Sequence, residues 1–141
     1  DAGANHSQIH EKIKDNARPD RLKLLGIALK NMVFVTEHKA AYITISQDEL
    51  DSCNYQKGDT EGFVNYGLSV AGIEMAVLMT ESKKENMIKM SFRSKGDLAV
   101  NLFAKTYFEG GGHINAAGGK SNKSLQETEA YFLKSLATFL S

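Results

Sequence analysis

The sequence predicts an α/β fold, with a mixed sheet flanked by helices and a helical connector at the N-terminus. Helical periodicity near residues 19–33 and 125–140 predicts amphipathic helices. Alternation with a period of two at 39–46 and 87–94 predicts strands, and the apolar stretch 73–81 is typical of a central strand. The 141 residues suit one compact domain, or one domain with a short helical attachment.

The composition limits the function classes. Seventeen basic residues balance seventeen acidic ones, so any phosphate site must be a local arrangement rather than a broad basic surface. The single cysteine, Cys53, excludes an internal disulfide framework and favours a reducing compartment. No stretch of the length needed to cross a membrane is continuously apolar, and the start at Asp1 lacks a signal pattern. We therefore expect a piece of a longer cytoplasmic protein without a membrane partner.

The first part of the chain predicts two helices. Residues 4–15 form the first, and Pro19 suits the first turn of the second. His6 and His10 lie four residues apart, a metal-binding spacing, but no third ligand is near them, and we expect no metal site in this chain. The second helix carries an apolar stripe that we expect to be buried, formed by Leu22, Leu25, Gly26, Leu29 and Val33.

The middle of the chain alternates strands with short helices. The strand 39–46 precedes a capping box, Ser46 to Glu49, which predicts a short helix to about Cys53. After a turn at 57–59, we expect Asp59 to cap a helix that carries Phe63, Val64 and Leu68. The apolar strand 73–81 and a hairpin loop at 82–86 follow.

The returning strand 87–94 has two chemically different faces. Ile88, Met90 and Phe92 point one way. Lys89, Ser91 and Arg93 point the other way, and Lys95 continues this row if the strand extends. Such a row offers cationic donors and a hydroxyl to a phosphate. Taken alone, however, the segment favours an ordinary solvated face of an antiparallel strand.

The last third predicts two more helices. We expect Asp97 to cap a helix over residues 98–108, with Leu98, Leu102 and Phe103 packing inward and Gly110 as its stop. An extended segment at 120–123 leads to a second capping box, Ser124 to Glu127. The final helix buries Leu125, Phe132, Leu136 and either Phe139 or Leu140.

Between those helices, residues 110–119 form a stretch of glycine and other small residues around His113. If residues 114–117 begin a helical turn, free amides and the helix dipole would converge on an anion. His113 would then hydrogen-bond an oxyanion or carry a proton. The alternative is a plain flexible loop, because a run of glycines most often forms one. The stretch matches neither the dinucleotide-binding nor the P-loop pattern, so neither of those folds is indicated.

The motifs Gly110–His113 and Asn115–Gly118, preceded by Ser91–Ser94, resemble the DHH-associated domain, type one, of DHH-family phosphoesterases. The similarity is to nano-RNase and pAp-phosphatase proteins, also labelled exopolyphosphatase-related. The segment Asp59–Asn65 is similar to a stretch of those proteins. So are Asp1–Asn5 and Arg21–Gly26, at the end of their catalytic domain and its connecting helix.

This resemblance implies that catalysis and substrate binding belong to two different domains. Residues 1–36 would be the end of a catalytic domain with its connecting helix, and residues 37–141 the substrate-binding domain. Manganese would be held by aspartate and histidine clusters of the catalytic domain, which this chain lacks, so we expect the isolated chain to be inactive. The resemblance places a phosphate or terminal nucleotide near Ser91, Arg93, Ser94 and Lys95. It places a cleft at Gly110, Gly111, Gly112, His113, Asn115, Ala116 and Ala117, with His113 as an auxiliary catalytic residue near the scissile phosphate.

The expected function is therefore substrate binding within a manganese-dependent phosphoesterase. The substrate would be a short RNA or DNA oligonucleotide or a nucleoside phosphate. The sequence leaves oligoribonucleotides, pAp, cyclic dinucleotides and polyphosphate open. Two other functions are also open: a nucleic-acid-binding module without a hydrolase role, as at the end of alanyl-tRNA synthetases, and a dimerisation domain. The expected partners are the substrate and the DHH catalytic domain, with a homodimer left open.

Overall fold

A computed structural model describes residues 18–141 of the chain. The predicted helix at 4–15, the histidine pair within it and the segment Asp1–Asn5 lie outside the described residues. The described helices are α1 Pro19–Asn31, α2 Gln47–Ser52, α3 Phe63–Leu68, α4 Val100–Tyr107 and α5 Leu125–Phe139, with a 3-10 turn at Thr36–His38. The strands are β1 Val33–Val35, β2 Ala40–Ile45, β3 Met75–Ser82, β4 Met87–Ser94, β5 Gly111–His113 and β6 Ala116–Ser121.

The strands form one six-stranded mixed sheet in the order β1-β2-β3-β4-β6-β5. Only the β2–β3 pair is parallel; the other described pairs are antiparallel. The α/β class and the mixed sheet are therefore confirmed, as are the central place of β3 and the β3–β4 hairpin. Both capping boxes form, with Ser46 accepting from the Glu49 amide and Ser124 from the Glu127 amide.

Helices α4 and α5 cover one face of the sheet. Their core is aromatic: the Phe103 ring lies 5.8 Å from Phe92 and 6.0 Å from Phe132, both in edge-on contact. Tyr42 on β2 is buried in the same layer and donates its hydroxyl to Glu129 of α5 at 2.5 Å. Burial raises the pKa of the Tyr42 phenol, and the Glu129 carboxylate adds to the rise. The side chains of α4 and α5 thus form a continuous buried core with this face.

Helices α1, α2 and α3 pack on the other face, over β2 and β3. Leu24, Ile43 and Phe63 are fully or almost fully buried there. Cys53 is a buried free thiol of the same cluster. Because this layer is centred on β2 and β3, it does not extend over the far edge of the sheet.

Most of the stripe that was expected to be buried lies outside the core: Leu22, Gly26 and Leu29 are on the exposed side of α1 and Val33 belongs to β1, whereas Leu25 packs partly against the core. Leu22 is 53% exposed and Leu29 is 43% exposed, whereas Leu24 and Ala28 are completely buried. The helix carries apolar residues on two faces, so periodicity could not choose between them. Arg18 and Arg21 fix its rotation from outside the core through contacts with the loop before α3.

Asp59 holds that loop and is not the cap of α3. Gly62, at φ +84°, precedes the helix instead. The buried Asp59 carboxylate accepts from Arg18 at 2.6 Å and from the Gln56 amide at 2.9 Å. Burial by itself would raise the pKa of Asp59, but these hydrogen bonds and the charges of Arg18 and Arg21 outweigh it and hold the pKa below its ordinary value.

The termini of α4 also differ from expectation. The helix begins at Val100 after Ala99, without a side-chain cap, and Asp97 stays exposed in the preceding turn. Leu102 is 54% exposed and does not pack inward. The left-handed residue that ends the helix is Glu109, at φ +50°, rather than Gly110. Along residues 18–141, we find no helix that combines the length and the apolar character needed to cross a membrane.

Candidate functional site

Part of the site predicted from separate segments is brought together by the pairing of β4, β6 and β5. Arg93 of β4 lies opposite Ala116 of β6, which lies opposite His113 of β5. Paired residues of neighbouring strands share a face, so these three form one row across the sheet. The next row is Ser91, Gly118 and Gly111.

These rows lie on a part of the sheet that the helices leave open. They share the face that α1, α2 and α3 cover at the other side of the sheet, and α3 reaches only as far as β4. Gly111, His113 and Gly118 are exposed, while Ser91 and Arg93 are half-buried. We call this surface of β4, β6 and β5 the open face.

The glycine stretch is a β-hairpin, and the expected helical turn at 114–117 is absent. Residues 114 and 115 form the turn between β5 and β6. Because residues 114–117 are not helical, they contribute no helix dipole to an anion site here. Residues 116–121 form a strand and not a helix because their backbone pairs with β4 in a continuous ladder from Ala116 to Ser121.

Four glycines in or next to the hairpin, Gly110, Gly111, Gly112 and Gly118, fall into two groups. A Cβ at Gly110 would lie 1.9 Å from the Gly118 carbonyl oxygen, and one at Gly112, where φ is +142°, would lie 2.8 Å from the Ala116 oxygen. These two are required by the fold. A Cβ at Gly111 would meet nothing within 4 Å, and one at Gly118 only the Met90 carbonyl oxygen at 3.6 Å. Packing does not require glycine at Gly111 or Gly118, and both leave the open face free of side chains.

Arg93 is the half-buried cation of the first row. Its guanidinium donates to the Phe92 carbonyl at 2.9 Å. Among residues 18–141, no carboxylate lies within ion-pair distance of it. Lys95 follows the end of β4, where its amide donates to the Glu74 carbonyl and its side chain is exposed. Arg93 therefore retains donors for an anion above the sheet.

Three of the predicted site residues, Ser94, Asn115 and Ala117, stabilise the hairpin and do not belong to the two rows of the open face. Ser94 is buried and donates to the Leu98 carbonyl at 2.6 Å. Asn115 donates to the Ser94 hydroxyl at 2.9 Å, which ties the hairpin turn to the segment after β4. Ala117 is 6% exposed and belongs to the core under α4 and α5. The structure thus places Ser94 and Ala117 away from the open face.

His113 lies at the outer end of the first row, on the edge strand. Its side chain is exposed, and within the described residues it has no hydrogen-bond partner. Two strand spacings separate its Cα from that of Arg93, a distance of about 10 Å. An imidazole in this position can donate a hydrogen bond to a group bound above Ala116.

Sequence reasoning missed Lys120. It lies opposite Lys89 and so adds a cation to the open face. The signal was present, since Ala116, Gly118 and Lys120 alternate with residues of the opposite face once 116–121 is recognised as a strand. Glu85 is the nearest counter-charge, at 2.7 Å from Lys89.

The described part of the chain does not fit a manganese centre. Nowhere in residues 18–141 do three His, Cys, Asp or Glu side chains come together as metal ligands. What the open face offers is positive charge, hydrogen-bond donors and space.

Comparison with known proteins gives a family match over most of the chain. Residues 38–141 match the DHHA1 domain. No curated protein shows a significant match. An exopolyphosphatase-related protein from Bacteroides fragilis is 34% identical over 95% of this chain and 39% of its own, with a TM-score of 0.87. The pGpG-specific phosphodiesterase PggH from Vibrio cholerae has a TM-score of 0.62 over 88% of this chain and 40% of its own, and at 10% identity it shows the shared fold alone. The chain thus spans about two fifths of the length of these proteins.

Proposed function

The chain belongs to the DHHA1 domain family of DHH phosphoesterases, and from this membership we propose that it binds the substrate of a manganese-dependent phosphoesterase. The substrate is a short oligonucleotide or a nucleoside phosphate. The partner is a DHH catalytic domain, which holds the metal. The observation that carries the proposal is the row of Arg93, Ala116 and His113 on the open face.

The row is suited to one phosphate group. Ala116 lies between Arg93 and His113 and is too small to obstruct a group bound above it. The Arg93 guanidinium can form paired hydrogen bonds with two phosphate oxygens. His113 can donate to a third oxygen from the opposite side. In this arrangement, His113 is the auxiliary catalytic residue closest to the scissile bond.

The second row provides room for the rest of the ligand. Gly118 and Gly111 carry no side chains, and Ser91 contributes a hydroxyl. A sugar or base can therefore lie flat against the strands. Lys89 and Lys120 add positive charge at one end of this surface and Lys95 at the other, although the whole chain has a net charge of zero. A local field of this kind favours a small phosphorylated ligand over a long nucleic acid.

Binding and positioning are the contributions of this domain to the reaction. A metal held by the catalytic domain would supply hydroxide and offset the charge of the phosphodiester. Arg93 and His113 would orient the phosphate and neutralise charge that develops on its oxygens. The name of the protein that is 34% identical, exopolyphosphatase-related, supports a phosphorylated substrate.

Titration with pAp by isothermal calorimetry tests the proposal. We expect Arg93→Ala to weaken binding by about tenfold or more, because hydrogen bonds to a charged group contribute about 1.5–3 kcal/mol. Lys105→Ala is the matched control, since Lys105 is an exposed cation of α4, on the other side of the sheet. Equal affinity of the Arg93 variant and the native chain would remove Arg93 from the site. Absence of pAp binding together with clean self-association would favour a dimerisation domain instead.

A further inference from the structure

We propose a second nucleotide subsite in a pocket of about 370 Å³ beside the open face. The inference rests on the proposed function and narrows it, because it assigns an oligonucleotide of at least two units as the ligand. The pocket lies between the loop 55–60 and the β3–β4 hairpin, and we call it the hairpin pocket. Its lining includes Leu50, Tyr55, Lys57, Thr80, Lys84 and Lys89.

Lys89 connects the hairpin pocket to the open face. It lines the pocket and also lies opposite Lys120 in the row below Ser91 and Gly118. Arg93 and Lys89 are four residues apart on one strand, so their Cα atoms are separated by about 14 Å. A ligand with one phosphate at Arg93 would need a second charged unit to reach Lys89.

The cations of the pocket are available to a ligand. Lys89 pairs with Glu85, but both side chains are largely exposed, at 57% and 44%, and such surface pairs contribute little. An incoming phosphate can therefore replace Glu85. Lys57 and Lys84 have no carboxylate within ion-pair distance among residues 18–141. The Glu81 carboxylate accepts from the Gln47 amide at 2.9 Å and so has a partner already.

Tyr55 gives the pocket a preference for a base. Its side chain is 40% exposed at the pocket wall, and its amide donates to the Leu50 carbonyl. Stacking on an aromatic ring accepts any base, because every base presents a π face. An inorganic polyphosphate has no such face and would gain nothing from Tyr55. The combination of a tyrosine with several lysines thus points to a nucleotide.

The wall that carries Tyr55 is held in place before a ligand arrives. Asp59 and Gln56 exchange two hydrogen bonds, each of 2.9 Å, and the Asp59 carboxylate also accepts from Arg18. This ion pair, in which the Asp59 carboxylate is buried, therefore fixes the loop 55–60 against the start of α1. Asp59, the first residue of the segment Asp59–Asn65, thus has a structural role in this wall. A fixed wall reduces the entropy lost when the ligand is ordered.

Affinities of the chain for 5′-AMP, the dinucleotide pApA and tripolyphosphate test the inference. We expect pApA to bind more tightly than AMP. Tyr55→Ala should weaken pApA by at least about fivefold, the lower limit for loss of one stacked base, and leave AMP unchanged. Lys89→Ala should weaken pApA by about threefold or more. Tyr66→Ala is the matched control, because Tyr66 is 45% exposed and does not line the pocket.

The results that would refute the second subsite differ from those that would refute the proposed function. The second subsite is refuted if AMP binding depends on Arg93 but pApA binds no more tightly than AMP, or if pApA binding does not respond to Tyr55→Ala. The phosphate site at Arg93, Ala116 and His113 would stand in that case. A loss of tripolyphosphate affinity in Lys89→Ala, with native pApA binding in Tyr55→Ala, would identify the pocket as a polyphosphate site. If AMP binding does not depend on Arg93, the proposed function itself fails.

Discussion

Two neighbouring glycines should respond in opposite ways to a side chain. Gly111 faces open space, so Gly111→Val should leave the fold intact and even stabilise β5 by about 0.5 kcal/mol, because glycine is unfavourable inside a strand. The valine side chain would project from the open face beside Gly118. It should therefore reduce the affinity for pAp by about tenfold or more, the effect of roughly 1.4 kcal/mol of steric conflict.

Gly110→Ala is the matched variant, and we expect it to destabilise the fold. The new Cβ would lie 1.9 Å from the Gly118 oxygen and 2.7 Å from the Gly119 Cα, and both atoms are backbone of β6. Overpacking against backbone should cost about 3 kcal/mol, which corresponds to a fall of about 10 °C in Tm.

Urea unfolding followed by circular dichroism gives the stabilities of both variants, and calorimetric titration with pAp gives their affinities. Native pAp affinity in Gly111→Val would refute the idea that a ligand approaches this surface. Native stability in Gly110→Ala would refute the assigned packing of the hairpin.

Three further variants test other parts of the molecule. Asp59→Asn should cost about 2 kcal/mol at pH 7, since it removes a charge from a buried, hydrogen-bonded pair. Because the folded pKa of Asp59 is lowered, its stabilisation is present above the ordinary value of 3.8 and is lost as the pH falls below it. The gap in unfolding free energy between native and variant should therefore close in acid. Ser94→Ala should cost about 1–2 kcal/mol, as it leaves buried polar partners unsatisfied, whereas Ser91→Ala should cost under about 0.5 kcal/mol. His113→Ala should lower kcat of the full-length enzyme by at least about tenfold.

Each of these expectations has a contrary result. A gap for Asp59→Asn that stays constant from pH 7 to pH 3 would mean that its carboxylate is not linked to stability. Equal stability of the Ser94 and Ser91 variants would show that the hydrogen bond to Leu98 does not hold the hairpin. Unchanged kcat in His113→Ala would leave the histidine a scaffold residue.

The starts of α2 and α5 and the strand β4 were predictable because their signals are local. In each capping box, a serine and a glutamate three residues later satisfy amides of the same turn, so the sequence window contains the whole interaction. The alternation along β4 likewise separated Phe92 from Arg93 correctly. By contrast, α1 carries apolar residues on two faces, and only its contacts with the rest of the chain decide which face is buried.

The sequence by itself determined the residue types of the site: an arginine on the polar side of a strand, and a histidine among glycines. The tertiary structure alone decided that β6 lies between them, because the register of strands distant in the chain depends on the packing of both faces of the sheet. It also decided which glycines are required. Gly110 and Gly111 are identical in the sequence, and they differ only in that the first meets the backbone of another strand and the second meets solvent.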